Sequence, residues 1–124
     1  MSTDPTLVVD YEREVLTAIF ARDKVRMTEL MSADGFGFDA TMGLVGQREL
    51  IAGIDGLSDD AAFSMEHIEV ECFDPALPVV AYLLRQWGSF GGRPLPPAVY
   101  CSSAWSITDG RWQAMFHHET PVPG

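Results

Sequence analysis

Two of the three histidines, His117 and His118, stand side by side in "CSSAWSITDGRWQAMFHHETP", residues 101–121. An imidazole near neutral pH serves as a general acid, a general base or a metal ligand. Neighbours on a regular strand point to opposite faces, so these two cannot grip one ion together. His67 falls among Glu69 and Glu71 on what reads as a solvated strand face. No metal site is therefore expected. Cys72 and Cys101 belong to no C-x-x-C pair and read as reduced, small strand residues. Ser102 and Ser103 lie in no nucleophile elbow. "SFGGRPLPP" has neither the lysine nor the helix of a phosphate-binding loop. No cofactor is expected.

The elements that must position these groups follow from periodicity. Asp4-Pro5 suits a helix start. Val8, Tyr11, Val15, Ala18 and Ile19 then recur at helical spacing, predicting helix one over about 5–22. A short helix follows from Asp23 to about 33, ended by Asp34-Gly35, and a strand over 36–41. "GLVGQRELIAGI" turns into helix three, about 47–56. Residues 64–73 alternate as a strand, with Ile68, Val70 and Cys72 opposite His67, Glu69 and Glu71. Residues 79–90 are apolar on both faces, the mark of a covered strand. Residues 91–97 read as a loop, because proline forbids regular pairing.

Asp109-Gly110 is a two-residue hairpin signal. Regular pairing about it puts Ile107 opposite Trp112, Trp105 opposite Ala114, Ser103 opposite Phe116 and Cys101 opposite His118. The face with Trp105, Trp112, Phe116 and His118 is aromatic and reads as the inner wall of a bent sheet. The outer face would carry Val80, Tyr82, Leu84, Ala104 and Met115. Soluble monomers rarely expose so wide an apolar patch, which predicts a homodimer through that face. The facing of Tyr82, Trp87 and Tyr100 stays open.

Composition bounds the partners. The 124 residues suit one domain, 1–124, with loose ends at the first few residues and at 121–124. Eighteen acidic against eight basic residues give a net charge of −10, which repels nucleic acid and anionic membranes. No signal peptide or membrane span is evident, so a cytoplasmic location is expected.

Helices grouped before a strand meander predict an α+β fold, helices packed on one sheet face. In that order "EREVLTAIFARDKVRMTELMSADGFGF", "GLVGQRELIAGI" and "SSAWSITDGRWQAMFHHETP" resemble the nuclear transport factor two-like superfamily, in its SnoaL-like branch. The ending is also similar to the calcium/calmodulin-dependent kinase association domain. The resemblance covers about Val9 to Pro121. It implies a cone-shaped, cystatin-like fold with three N-terminal helices on a strongly curved antiparallel sheet.

Activity does not follow from fold, because the superfamily holds enzymes and non-catalytic association modules alike. "SADGFGFDATMG" resembles the ketosteroid isomerase stretch that ends in its general base, which the resemblance places at Asp39. The null alternative is a solvated carboxylate capping the next turn. The isomerase's oxyanion tyrosine falls at Val15, with Tyr11 one turn earlier, so steroid isomerisation is not expected. The candidate site is thus Asp39 as base, with Tyr11 and His118 as donors. Val15, Phe38, Tyr82, Tyr100, Trp105, Trp112 and Phe116 are the candidate contacts to a small, mostly apolar ligand. Cofactor-independent acid–base catalysis and pure association both remain open.

Overall fold

The computed structural model describes residues 4–123. A single 3-10 turn, Pro5–Leu7, is capped by the Asp4 carboxylate and leads into α1, Val8–Phe20. The Asp23 side chain caps α2, Lys24–Leu30. Strands β1, Met31–Asp39, and β2, Gly43–Gly46, precede α3, Gln47–Gly53, and a second 3-10 turn, Ile54–Gly56. Four long or medium strands follow, interrupted by a small hairpin. They are β3, Ala62–Glu71; β4, Val79–Trp87; β5, Ser89–Phe90; β6, Arg93–Pro94; β7, Ala98–Thr108; and β8, Arg111–Pro121. The expected α+β class holds. Residues 91–97 are not all loop, since β6 pairs with β5.

The main sheet has the order β2-β1-β8-β7-β4-β3. It is mixed rather than antiparallel, because β1 runs parallel to β8. Asp34-Gly35 does not end α2 in a turn. Both residues lie within β1, where the register with β8 shifts between Met31 and Phe36. Tertiary pairing has overridden a local turn signal. Val122 N–H donates to the Ala98 carbonyl, so the chain is tied to the sheet past Pro121. The first residues and Gly124, expected to be loose, lie outside the described residues.

Asp109 and Gly110 both have positive φ, as the tight hairpin turn demands. Beyond it the expected register holds for Ile107↔Trp112 and Trp105↔Ala114 and then slips. Ala104 pairs Phe116, Ser103 pairs His117 and Cys101 pairs Glu119. Met115 is the extra residue of a β-bulge. One extra residue inverts the facing of everything after it. Phe116 and His118 therefore lie on the outer face, and His117 and Glu119 on the inner one.

The covered face of β4 is also the reverse of the expected one. Val80, Tyr82 and Leu84 are buried under the helices with Val15, Leu16, Trp105 and Trp112. The outer face instead carries Val79, Ala81, Leu83, Ala104 and Phe116, continued by Phe36 and Phe38. Trp112 is 2% exposed. Trp112→Ala should cost about 3–5 kcal/mol in urea unfolding, the usual loss on emptying a large aromatic core site.

Candidate functional site

The helices and the inner sheet face enclose a cone-shaped cavity of about 100 Å³. Its walls are mainly apolar, among them Val15, Leu16, Ile19 and Phe20 of α1, Leu50 of α3 and Leu84 of β4. Four ionisable side chains also reach it: Glu12, Asp39, His117 and Glu119. Each arrives by a different local rule. Glu12 lies midway between Val8 and Leu16 on the buried stripe of α1. Asp39 ends β1, two residues beyond the buried Gly37. His117 and Glu119 share a face because the bulge at Met115 turns them inward.

Glu12 is 1% exposed, and its carboxylate is bonded on three sides. Trp105 Nε1–H donates to Oε1 at 2.8 Å, while Tyr82 O–H and Ser103 O–H donate to Oε2 at 2.5 and 2.8 Å. Burial, then the Glu12 charge, push the Tyr82 phenol well above its usual range, so it stays a neutral donor. Ser103 Oγ also lies 2.6 Å from His117 Nδ1, and His117 Nε2 lies 3.1 Å from Glu119 Oε2.

A hydrogen count agrees with a charged imidazole in this chain. The three bonds linking Glu12, Ser103, His117 and Glu119 need three hydrogens. The serine hydroxyl supplies one, toward Glu12. With both carboxylates ionised, the imidazole must supply two, so His117 is an imidazolium. Burial opposes this charge. The bonds to Cys101 and Glu119 and the charges of Glu119 and Glu12 outweigh it and hold His117 well above its ordinary value. Glu119 shows the matching effect. Burial raises it, yet His117 and the Ala40 N–H bond, 2.9 Å, carry it below the usual carboxylate range.

Asp39 behaves in the opposite way. Its Oδ2 accepts from Thr41 N–H at 2.9 Å, Met42 N–H at 2.8 Å and the Thr41 hydroxyl. Burial and the adjacent Glu119 charge nevertheless raise its pKa. Glu119 Oε1 accepts from the N–H of Ala40, the residue after Asp39, so both carboxyls stand on the same part of the cavity wall. The Asp39 carboxylate both caps the following turn and faces the cone. The close approach of β1 to β8 is what places it there. A Cβ on Gly37 would stand 2.2 Å from the His117 carbonyl oxygen.

The other expected site residues lie elsewhere. Val15 lines the cone. Tyr82 and Trp105 reach it only through Glu12, and Trp112 is core. Tyr11 packs its ring 6.0 Å from that of Trp105. His118 stacks edge-on against Phe38 outside the sheet, and Phe116 meets Phe36 there. Phe38 and Tyr100 are about half exposed on that face, at 46% and 56%. Glu12, His117 and Glu119 were missed by sequence reasoning. The signals available were a lone glutamate on an apolar helical stripe and the broken alternation at Ala114-Met115-Phe116. As to metals, donor atoms of Cys101, His117 and Glu119 lie within 4.8 Å of one another. Both His117 nitrogens are already hydrogen-bonded, so an ion would have to displace the Glu119 contact.

Neither a protein-family model nor a curated protein sequence matches the chain. Solved structures do. An NTF2-like protein from Cytophaga hutchinsonii superposes with a TM-score of 0.83 at 19% identity, covering 94% of this chain and 97% of the other. An uncharacterised protein with a cystatin-like fold from Caulobacter vibrioides gives 0.80 at 17% identity, covering 95% and 89%. The association domain of C. elegans CaMKII gives 0.76 at 22% identity, covering 91% and 92%. The chain has the NTF2-like, cystatin-like fold.

Two outcomes test the site's charges. In Glu12→Gln the amide N–H₂ faces donors in place of an acceptor, costing about 1–3 kcal/mol per buried donor left unpaired. The His117 charge is stabilising below the unfolded value, about pH 6.5. That stability is lost as pH rises through the higher folded value. The excess stability of wild type over His117→Gln should thus be larger at about pH 6 than at about pH 9. Urea unfolding at the two pH values checks the sign.

Proposed function

We propose that the cone binds a small, mostly apolar molecule and that Asp39 moves a proton on it. The observation that carries this reading is the meeting of apolar walls with an acid whose pKa is raised, an ionised glutamate and an imidazolium in one connected row. A carboxyl shifted upward is suited to give and take protons near neutral pH. Both N–H groups of the imidazolium are engaged, so it acts through its fixed positive charge, which favours oxygen charge that develops on the ligand. This is the chemistry of a cofactor-independent isomerase, cyclase or dehydratase. A cavity of about 100 Å³ limits the ligand to about ten heavy atoms. A steroid does not fit. Ligand-observed NMR with small neutral aromatics should detect binding, and Leu50→Trp, which fills the cone, should abolish it. Asp39→Asn should leave such binding in place and remove turnover of any substrate found. Binding that survives Leu50→Trp would overturn this reading.

Self-association is a second reading, supported by a different surface. Phe36, Phe38 and Tyr100 are exposed beside Leu83 and Phe116 on the outer sheet face. The similar structures include one described as an association domain and others described as hubs. A homodimer through this face would cover it. Light scattering should give twice 13.6 kDa for wild type and 13.6 kDa for Phe38→Glu. A wild-type mass of 13.6 kDa would sink the dimer.

A further inference from the structure

The charges around the cone do not balance. Three carboxyl groups, those of Glu12, Asp39 and Glu119, line it against one imidazole, that of His117. Among the described residues, no lysine or arginine lines the cavity. Four of the eight basic side chains pair with surface acids: Arg22 with Asp59, Lys24 with Asp55, Arg26 with Glu14 and Glu29, and Arg85 with Glu66. Arg13, Arg48, Arg93 and Arg111 are exposed. The remaining titratable groups against the cluster, Cys101 and Tyr82, add no positive charge.

The surplus negative charge has a location. Glu12 is satisfied by three donors, from Tyr82, Ser103 and Trp105. Asp39 and Glu119 are held by adjacent backbone, Glu119 by Ala40 N–H and Asp39 by Thr41 and Met42 N–H. Two carboxyls on one stretch of a mainly apolar wall cannot both stay ionised cheaply. A proton relieves them, and so does a cation. An anion entering the cone would add a third like charge at low dielectric, where repulsion is strong.

We infer that the cone selects a small organic cation, a primary ammonium on an apolar body of about ten heavy atoms, over its neutral and anionic isosteres. The ammonium sits between the Asp39 and Glu119 carboxyls, the two acids on that part of the wall. The apolar body lies against α1 and α3. This inference rests on reading the cone as a ligand site, and it adds the ligand's charge.

Three probes of one shape decide it: benzylammonium, benzyl alcohol and benzoate, titrated separately into the purified chain near neutral pH and followed by NMR. Benzylammonium should bind about ten- to a hundredfold more tightly than benzyl alcohol, the ratio that one hydrogen bond to a charged group supplies. Benzoate should be the weakest. Asp39→Asn should bring the amine-to-alcohol ratio close to one while alcohol binding persists. Should that variant fail to fold, the order of the three probes on wild type still decides. Alcohol binding without amine preference, or benzoate binding as well as the amine, would overturn the inference and leave the ligand-site reading standing. Silence from all three would overturn both. Zinc displacing the amine from wild type but not from Cys101→Ser would assign the cluster to a metal ion and also overturn it.

Discussion

One buried carboxylate organises the inside of this protein. Glu12 arrives on an otherwise apolar helix stripe, and removing its charge from water is affordable only because Trp105, Tyr82 and Ser103 all donate to it. Those three donors come from β4 and β7, so the carboxylate fixes how α1 sits across the sheet. Trp105 and Tyr82 are thereby committed as much to hydrogen bonding as to packing. The large aromatics of the C-terminal hairpin do not simply fill space. Trp105 carries the polar handle that lets a charge exist beneath it.

From Glu12 the polar row continues through Ser103 and His117 to Glu119, with Asp39 also on the cavity wall. A one-residue bulge makes that continuity possible. Without Met115 as the extra residue, His117 would sit on the outer face and the row would break after Ser103. The parallel seat of β1 on β8 completes it, since Gly37 lets the backbones close and brings Asp39 beside Glu119. The environments then push the two carboxyls apart. Glu119 is held low by an imidazolium, and Asp39 is raised by burial and by Glu119.

The sheet thus has two unlike faces. The concave side is a small apolar chamber with a charged rim, and the outer side bears exposed rings from β1, β7 and β8. The cavity and the exposed rings lie on separate surfaces. In the described residues no helix is long and apolar enough to cross a membrane.

What the sequence determined by itself was the architecture. Helical periodicity in α1, the Asp109-Gly110 turn and the order of elements led to the α+β cone, because these are local signals with local causes. The resemblance of "SADGFGFDATMG" to the ketosteroid isomerase stretch pointed to Asp39, and the structure places that side chain on the cavity wall. The buried faces of β4 and the last part of β8 were not legible. Val79 through Leu84 are apolar on both sides, so alternation could not say which side faces inward. The bulge at Met115 then reversed His117 and His118, Phe116 and Glu119 in one step. Glu12 was hidden for a related reason. Whether a charge on an apolar stripe is buried depends on donors some 70 to 93 residues away in the chain. Only tertiary structure brings such partners together, and so only tertiary structure decided the site's charge.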